Sequence, residues 1–173
     1  MISRERNYAF IDGQNMHKGT TKQGWRVDYG KLRIYLRNKW EVEKAYIFLG
    51  YLKENESFYQ KIERSGFIIL FKEVSYGPNG MVKGNCDSDM VLRICMDFWN
   101  FDKAVIISGD GDFYSIGNIL HATNKLNVII APNTDTVSKR YYRFGHEKII
   151  FLDEIKDQIV FAAPKHIFNE KAR

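Results

Sequence analysis

Cysteine is scarce: the chain of 173 residues holds only Cys86 and Cys95. Two thiols make neither a zinc framework nor a disulfide scaffold, so both are expected to be reduced and inert. Long apolar runs are missing too. The longest, such as Ala104–Ile107 and Val128–Ala131, are strand-sized, whereas a membrane-spanning helix needs about 20 apolar residues. The opening Met1-Ile2-Ser3-Arg4-Glu5-Arg6 has no apolar signal-peptide core, which predicts a cytoplasmic protein. There is no internal repeat and no low-complexity stretch.

What is present is a globular balance. Hydrophobic residues make up 45%, charged residues 27% and aromatics 14%, and the 26 Lys+Arg against 21 Asp+Glu leave +5. That composition argues against wholesale disorder. It predicts one domain, large enough to fold without disulfides or a structural metal. The modest positive charge permits a polyanionic partner without demanding one.

Strand and helix signals alternate along the chain. Short β-rich runs fall at Asn7–Ile11, Lys44–Tyr51, Phe67–Val74, Ala104–Ser108, Asn127–Ala131 and, as an edge strand, Lys148–Leu152. Between them, Asp28 is placed to cap a helix over Tyr29–Lys39, and Gly66 to end one over Glu56–Ser65. Further helices are expected from Asp87 or Ser88 to about Asn100, over Phe113–Asn124 and over Ser138–Phe144, with a loop at Ser75–Asn85. Near-continuous apolar strands separated by helices indicate a mainly parallel sheet covered on both faces. In such α/β sheets ligands bind beyond the carboxyl ends of the strands, where the strand order reverses.

The expected strand exits carry acids. Asp12 leaves the first strand, Asp110 and Asp112 leave the fourth, and Asp87 and Asp89 open the helix before it. The first and fourth strands are expected neighbours, which brings these acids to one edge. An Asp at such a junction is often only a helix N-cap, and Asp112 and Asp87 suit that role. Converging carboxylates repel, however, and a divalent cation relieves the repulsion. Mg²⁺ and Mn²⁺ take oxygen ligands, and such ions can lower the pKa of water for attack on a phosphodiester. Gly13, Gly109 and Gly111 are read as permitting sharp turns near these acids. Asn15 can hydrogen-bond a carboxylate or phosphate. Ser108 is read mainly as a strand-end hydrogen-bonding group, His121 as structural and His17 as near the acids.

Three segments at the expected active edge carry cations, two of them with aromatics, as suits a single-stranded polyanion. They are Lys18, Lys22 and Arg26 around Trp25; Lys83 just before Asp87; and Lys139, Arg140 and Arg143 interleaved with Tyr141 and Tyr142. Other chemistries lack their residues. Gly13–Thr20 is only loosely like a phosphate-binding P-loop, Asp12-Gly13-Gln14 lacks the second aspartate of an aspartyl-phosphate hydrolase, and Tyr114 fills a ligand slot that an EF-hand needs.

Phe10-Ile11-Asp12-Gly13-Gln14-Asn15, Lys83-Gly84-Asn85-Cys86-Asp87-Ser88-Asp89-Met90 and Ile107-Ser108-Gly109-Asp110-Gly111-Asp112-Phe113 together resemble the NYN domain of the PIN-like nuclease superfamily, in its bacterial LabA-like branch. The resemblance covers roughly residues 7–152. It implies a PIN-like three-layer α/β/α fold with a mainly parallel central sheet, an acidic metal pocket and ribonuclease activity with Mg²⁺ or Mn²⁺. It matches Asp12, Asp87, Asp110 and Asp112 to metal and catalytic acids, Asn15 to the polar residue after the first acid, and Asp89 to a second acid of the middle motif. The expected layout is one domain over residues 1–152 and a C-terminal extension over 153–173, helical or partly flexible. The expected partner is RNA, single-stranded or structured, with a homodimer or protein partner at the sheet edge or tail and no membrane. The competing expectation is an RNA- or protein-binding adaptor with the same pocket and little turnover.

Overall fold

The computed structural model describes residues 5–72 and 87–162, with the backbone of 75–76 and 82–83 between them. In chain order the elements are β1 (Asn7–Asp12), α1 (Gly13–Lys22), α2 (Tyr29–Trp40), β2 (Val42–Gly50), α3 (Glu56–Arg64), β3 (Ile68–Lys72), β4 (Ser75–Tyr76), β5 (Val82–Lys83), α4 (Asp87–Met96), β6 (Ala104–Ile107), α5 (Tyr114–Ala122), β7 (Leu126–Ala131), β8 (Ile149–Phe151) and α6 (Lys156–Ile159). Six strands form one sheet in the order β3-β2-β1-β6-β7-β8, and every pairing in it is parallel.

The physical reason is visible along β1, where all six residues are buried. Successive side chains of a strand point to opposite faces, so a strand buried throughout must be covered on both. Phe10 packs with Tyr46, Phe48, Met90 and Ile94 on the face carrying α4 and α5. Ala9 and Ile11 pack with Met16, Leu32, Leu36 and Ile62 on the face carrying α1, α2 and α3. The molecule is therefore a three-layer α/β/α sandwich. From the central pair β1–β6, the chain winds outward through β2 and β3 on one side and through β7 and β8 on the other. The direction of winding reverses between β1 and β6, which opens a crevice at their carboxyl ends.

Local signals explain the helix ends. The Asp28 side chain accepts from the Lys31 amide at 3.0 Å and caps α2. Gly66 follows α3 at φ 90°, a backbone region that glycine enters without Cβ strain.

Three expectations need correction. Residues 13–22, where no helix was expected, form helix α1. Glycine lowers helix propensity by about 1 kcal/mol, but Gly19 is required for packing: a Cβ there would lie 2.3 Å from Pro132 Cβ. The Ser75–Asn85 loop contains a short antiparallel pairing, with Ser75 opposite Lys83 and Tyr76 opposite Val82. The Ser138–Phe144 helix is a 3-10 turn over Lys139–Phe144. Beyond β8, Leu152, Ile155 and Ile159 join the α1–α3 core, and the Asp28 amide donates to the Ile159 carbonyl at 2.7 Å. Residues 163–173, the end of the expected extension, lie outside the described residues.

Candidate metal and nucleic-acid site

The β1–β6 crevice gathers the acids. Because side chains alternate, Asp12 shares the α4 side of the sheet with Phe10. It is nearly buried, at 6% exposure. Its Oδ1 accepts from the Asn15 amide at 3.0 Å, capping α1, and its Oδ2 accepts from the Ser108 hydroxyl at 3.3 Å. Burial pushes the Asp12 carboxyl up; the Asn15 amide opposes that shift, the Asp87 charge adds to it, Ser108 opposes it and Asp110 adds to it. The capping and functional readings of Asp12 are therefore not alternatives: the same bonds that start α1 hold the carboxylate in place.

Ser108 and Asn15 stitch the two strand exits together. The fully buried Ser108 hydroxyl also accepts from the Asp110 amide at 3.1 Å, and Asn15 Oδ1 accepts from the Gly109 amide at 3.0 Å. Asp110 Oδ1 in turn accepts from the Asp112 amide at 3.0 Å. The result is a tight loop from which Asp110 and Asp112 reach toward Asp87, the first residue of α4. One carboxylate oxygen each from Asp87, Asp110 and Asp112 lies within 4.8 Å of the other two.

The same loop is braced from behind. The Tyr141 hydroxyl donates to the Asp110 carbonyl, and the Ser138 amide donates to the Gly109 carbonyl at 2.9 Å. Burial, with the charges of Asp110, Asp12 and Asp112, raises the Tyr141 phenol well above its ordinary range, keeping it a donor. Gly109 and Gly111 do not serve as turns of positive φ. Gly111 is needed for close approach, since a Cβ there would stand 2.7 Å from Ser138 Oγ. These contacts carry Lys139 and Arg140, both exposed, next to the acidic loop. Arg140 stacks on Tyr114 with its guanidinium 4.2 Å from the ring centroid.

Other candidates are placed elsewhere. Asp89 lies two residues past Asp87, about 200° around a helix of 3.6 residues per turn. It faces Lys72 at 3.8 Å and is outside the acidic group. Lys18 is exposed on α1, and Lys22 closes its last turn, roughly 13 Å of helix from Gly13. Trp25, expected as a stacking surface, is buried in the core, with Nε1 donating to Gln23 Oε1 at 3.1 Å. Tyr141 is likewise core rather than stacking surface, and Tyr142 packs against His146. Arg26 and His17 are exposed, and His121 lies against Phe144. The side chain of Lys83 lies outside the described residues. The bracing role of Tyr141 has no local sequence signal, because it depends on how the chain returns between β7 and β8.

The donor set suits a hard divalent cation: three clustered carboxylates, two of them part-buried and one exposed. Among the described residues, neither Asp110 nor Asp112 forms an ion pair with Lys or Arg. No described helix is long and apolar enough to cross a membrane.

The chain is 28% identical over 160 residues to the low amplitude and bright protein LabA of Synechococcus elongatus, covering 87% of this chain and 85% of LabA. Its fold superposes with a TM-score of 0.76 on the crystal structure of a Vibrio parahaemolyticus protein of unknown function, at 19% identity, over 93% of this chain and 100% of that one. The family model for the NYN domain matches residues 7–146. The chain therefore belongs to the NYN family.

Proposed function

We propose that this domain is a divalent-metal-dependent ribonuclease that hydrolyses RNA phosphodiesters at the carboxyl edge of its sheet. The observation that carries the reading is the convergence of Asp87, Asp110 and Asp112 beside the buried Asp12. Asp87, Asp110 and Asp112 would hold the cation, with Asp12 as the fourth negative group of the pocket. A bound Mg²⁺ or Mn²⁺ would supply charge neutralisation and Lewis-acid activation of water.

The chain's own residues do the rest. Asn15 and Ser108 lock the orientation of Asp12 and tie it to the Asp110 loop. Tyr141 fixes the backbone of Asp110 so that its carboxylate keeps its aim. Lys139 and Arg140 are positioned for phosphate contacts on the strand leaving the pocket, and the Arg140–Tyr114 stack offers a flat cationic surface to an unpaired base.

The test is cleavage of end-labelled RNA with Mg²⁺, Mn²⁺ or EDTA. The expected result is cleavage with metal and none with EDTA or in Asp110→Asn. Metal-dependent cleavage that survives in both Asp110→Asn and Asp12→Asn would overturn the reading. Salt-sensitive RNA binding without product under any divalent ion would favour an adaptor instead.

A further inference from the structure

A second feature opens at the same sheet edge, on the opposite face of β1. A cavity of about 580 Å³ lies between the start of α1, the exit of β2 and the first turns of α2 and α3. Its volume falls within the roughly 300–1,000 Å³ of small-ligand sites. Gly13, the residue after Asp12, forms part of its wall, so the cavity adjoins the β1 exit from its other face.

The lining combines aromatic side chains with polar groups, of which the Tyr59 hydroxyl and the Thr20 hydroxyl are already bonded to backbone. Tyr29 and Phe58 meet edge to face, with centroids 5.5 Å apart and planes at 75°. The Tyr29 phenol is pushed up to about 12 by burial, so it stays protonated at neutral pH. Among the described residues, no hydrogen bond engages the Tyr29 hydroxyl or the side-chain amides of Gln14 and Asn55, although all three residues line the cavity. Asn55 precedes α3 without capping it. Arg26 and His17 stand at the wall, and among the described residues neither has an acidic partner within ion-pairing distance. An aromatic floor, three free donors and acceptors and an unpaired guanidinium match one chemical class: a planar heteroaromatic base carrying a phosphate.

We infer that this cavity binds one unpaired nucleotide unit of a single RNA strand, base against Phe58 and Tyr29 and phosphate toward Arg26. The inference rests on the nuclease reading for its choice of ligand and makes the substrate single-stranded beside the cut. A base in a duplex is stacked and paired and cannot enter without being extruded.

The test is run in EDTA, where cleavage plays no part. Binding of a labelled six-nucleotide single-stranded RNA is measured by anisotropy for wild type, Phe58→Leu, Tyr29→Phe and Arg26→Gln, with AMP and UMP as competitors. Thermal melts establish that each variant is folded. Phe58→Leu and Arg26→Gln are each expected to weaken binding at least fivefold, and Tyr29→Phe about threefold. Competition by AMP or UMP would place recognition in the nucleotide unit itself; its failure, with the variants still weakened, would place it in the strand. Either result supports the site. Affinity unchanged within twofold in both Phe58→Leu and Tyr29→Phe, or no RNA binding by wild type, would overturn it. The nuclease reading fails separately: metal-dependent cleavage that survives in both Asp110→Asn and Asp12→Asn leaves this titration untouched.

Discussion

The two sides of β1 at its carboxyl end are chemically opposite. On the α4 side, four aspartates crowd around a loop braced by Ser108, Asn15 and Tyr141, with polar atoms tied to one another. On the α1–α3 side, aromatic rings line an open volume in which, among the described residues, the Tyr29 hydroxyl and the Gln14 and Asn55 side chains stay unengaged. One backbone step, from Asp12 to Gly13, divides them. A carboxylate cluster must be pre-oriented because its members repel, and a preformed arrangement removes the cost of assembling them at the moment of reaction. A surface for a base needs space and desolvation more than fixed bonds.

The sharpest way to break this contrast is to remove a charge from the acidic side. Asp110→Asn should reduce metal-dependent RNA cleavage by on the order of 100-fold or more while preserving the fold, read by rate measurement and circular dichroism. The boundary itself can be tested next. A Cβ at Gly13 would lie 2.4 Å from Leu49 Cδ2 and 2.9 Å from the Phe48 carbonyl. Gly13→Ala should therefore cost about 1–3 kcal/mol in denaturant unfolding, since backbone cannot yield as a side chain can.

Charge repulsion on the acidic side also has a pH signature. Asp12 has a folded-state pKa above its unfolded value, so its ionised form opposes folding. In metal-free protein, lowering pH through the folded pKa toward the ordinary carboxylate range near 3.8 should add stability from this group, opposite to a salt-bridged aspartate. Asp12→Asn should raise the metal-free Tm at pH 7 and flatten that acid-side gain, whereas added Mn²⁺ should stabilise the variant less than wild type, because one negative group of the pocket is gone. A Tm that falls in metal-free Asp12→Asn would refute the account. The smallest effect belongs outside both regions: Asp89→Asn breaks only the partly exposed pair with Lys72 and should cost about 0–1 kcal/mol, leaving cleavage within twofold.

Much of this was legible beforehand for identifiable reasons. The buried strands declare themselves as continuous apolar runs, and Asp28 and Gly66 mark helix ends through short-range hydrogen bonding and φ preference. The acids at the exits of β1 and β6 could be brought together because winding rules make those strands neighbours. Trp25 and Tyr141 were harder, since an aromatic beside lysines reads alike whether it faces solvent or core. Asp89 shares a motif with Asp87, yet a two-residue step turns it toward Lys72. The cavity joins Arg26 and Tyr29 to Phe58 of a separate segment, although the rule that inspects strand exits applied to Gly50–Asn55 as well.

The amino-acid sequence alone determined the strand and helix periodicity, the acidic motifs and the NYN family, because these depend on local spacing and residue type. Only tertiary structure decided which carboxylates share a pocket, which aromatics are core, and that a ring-lined cavity lies across β1 from the acids. The reason is that side-chain direction depends on helix phase and on contacts between segments far apart in the chain, and neither is written in any one stretch of residues.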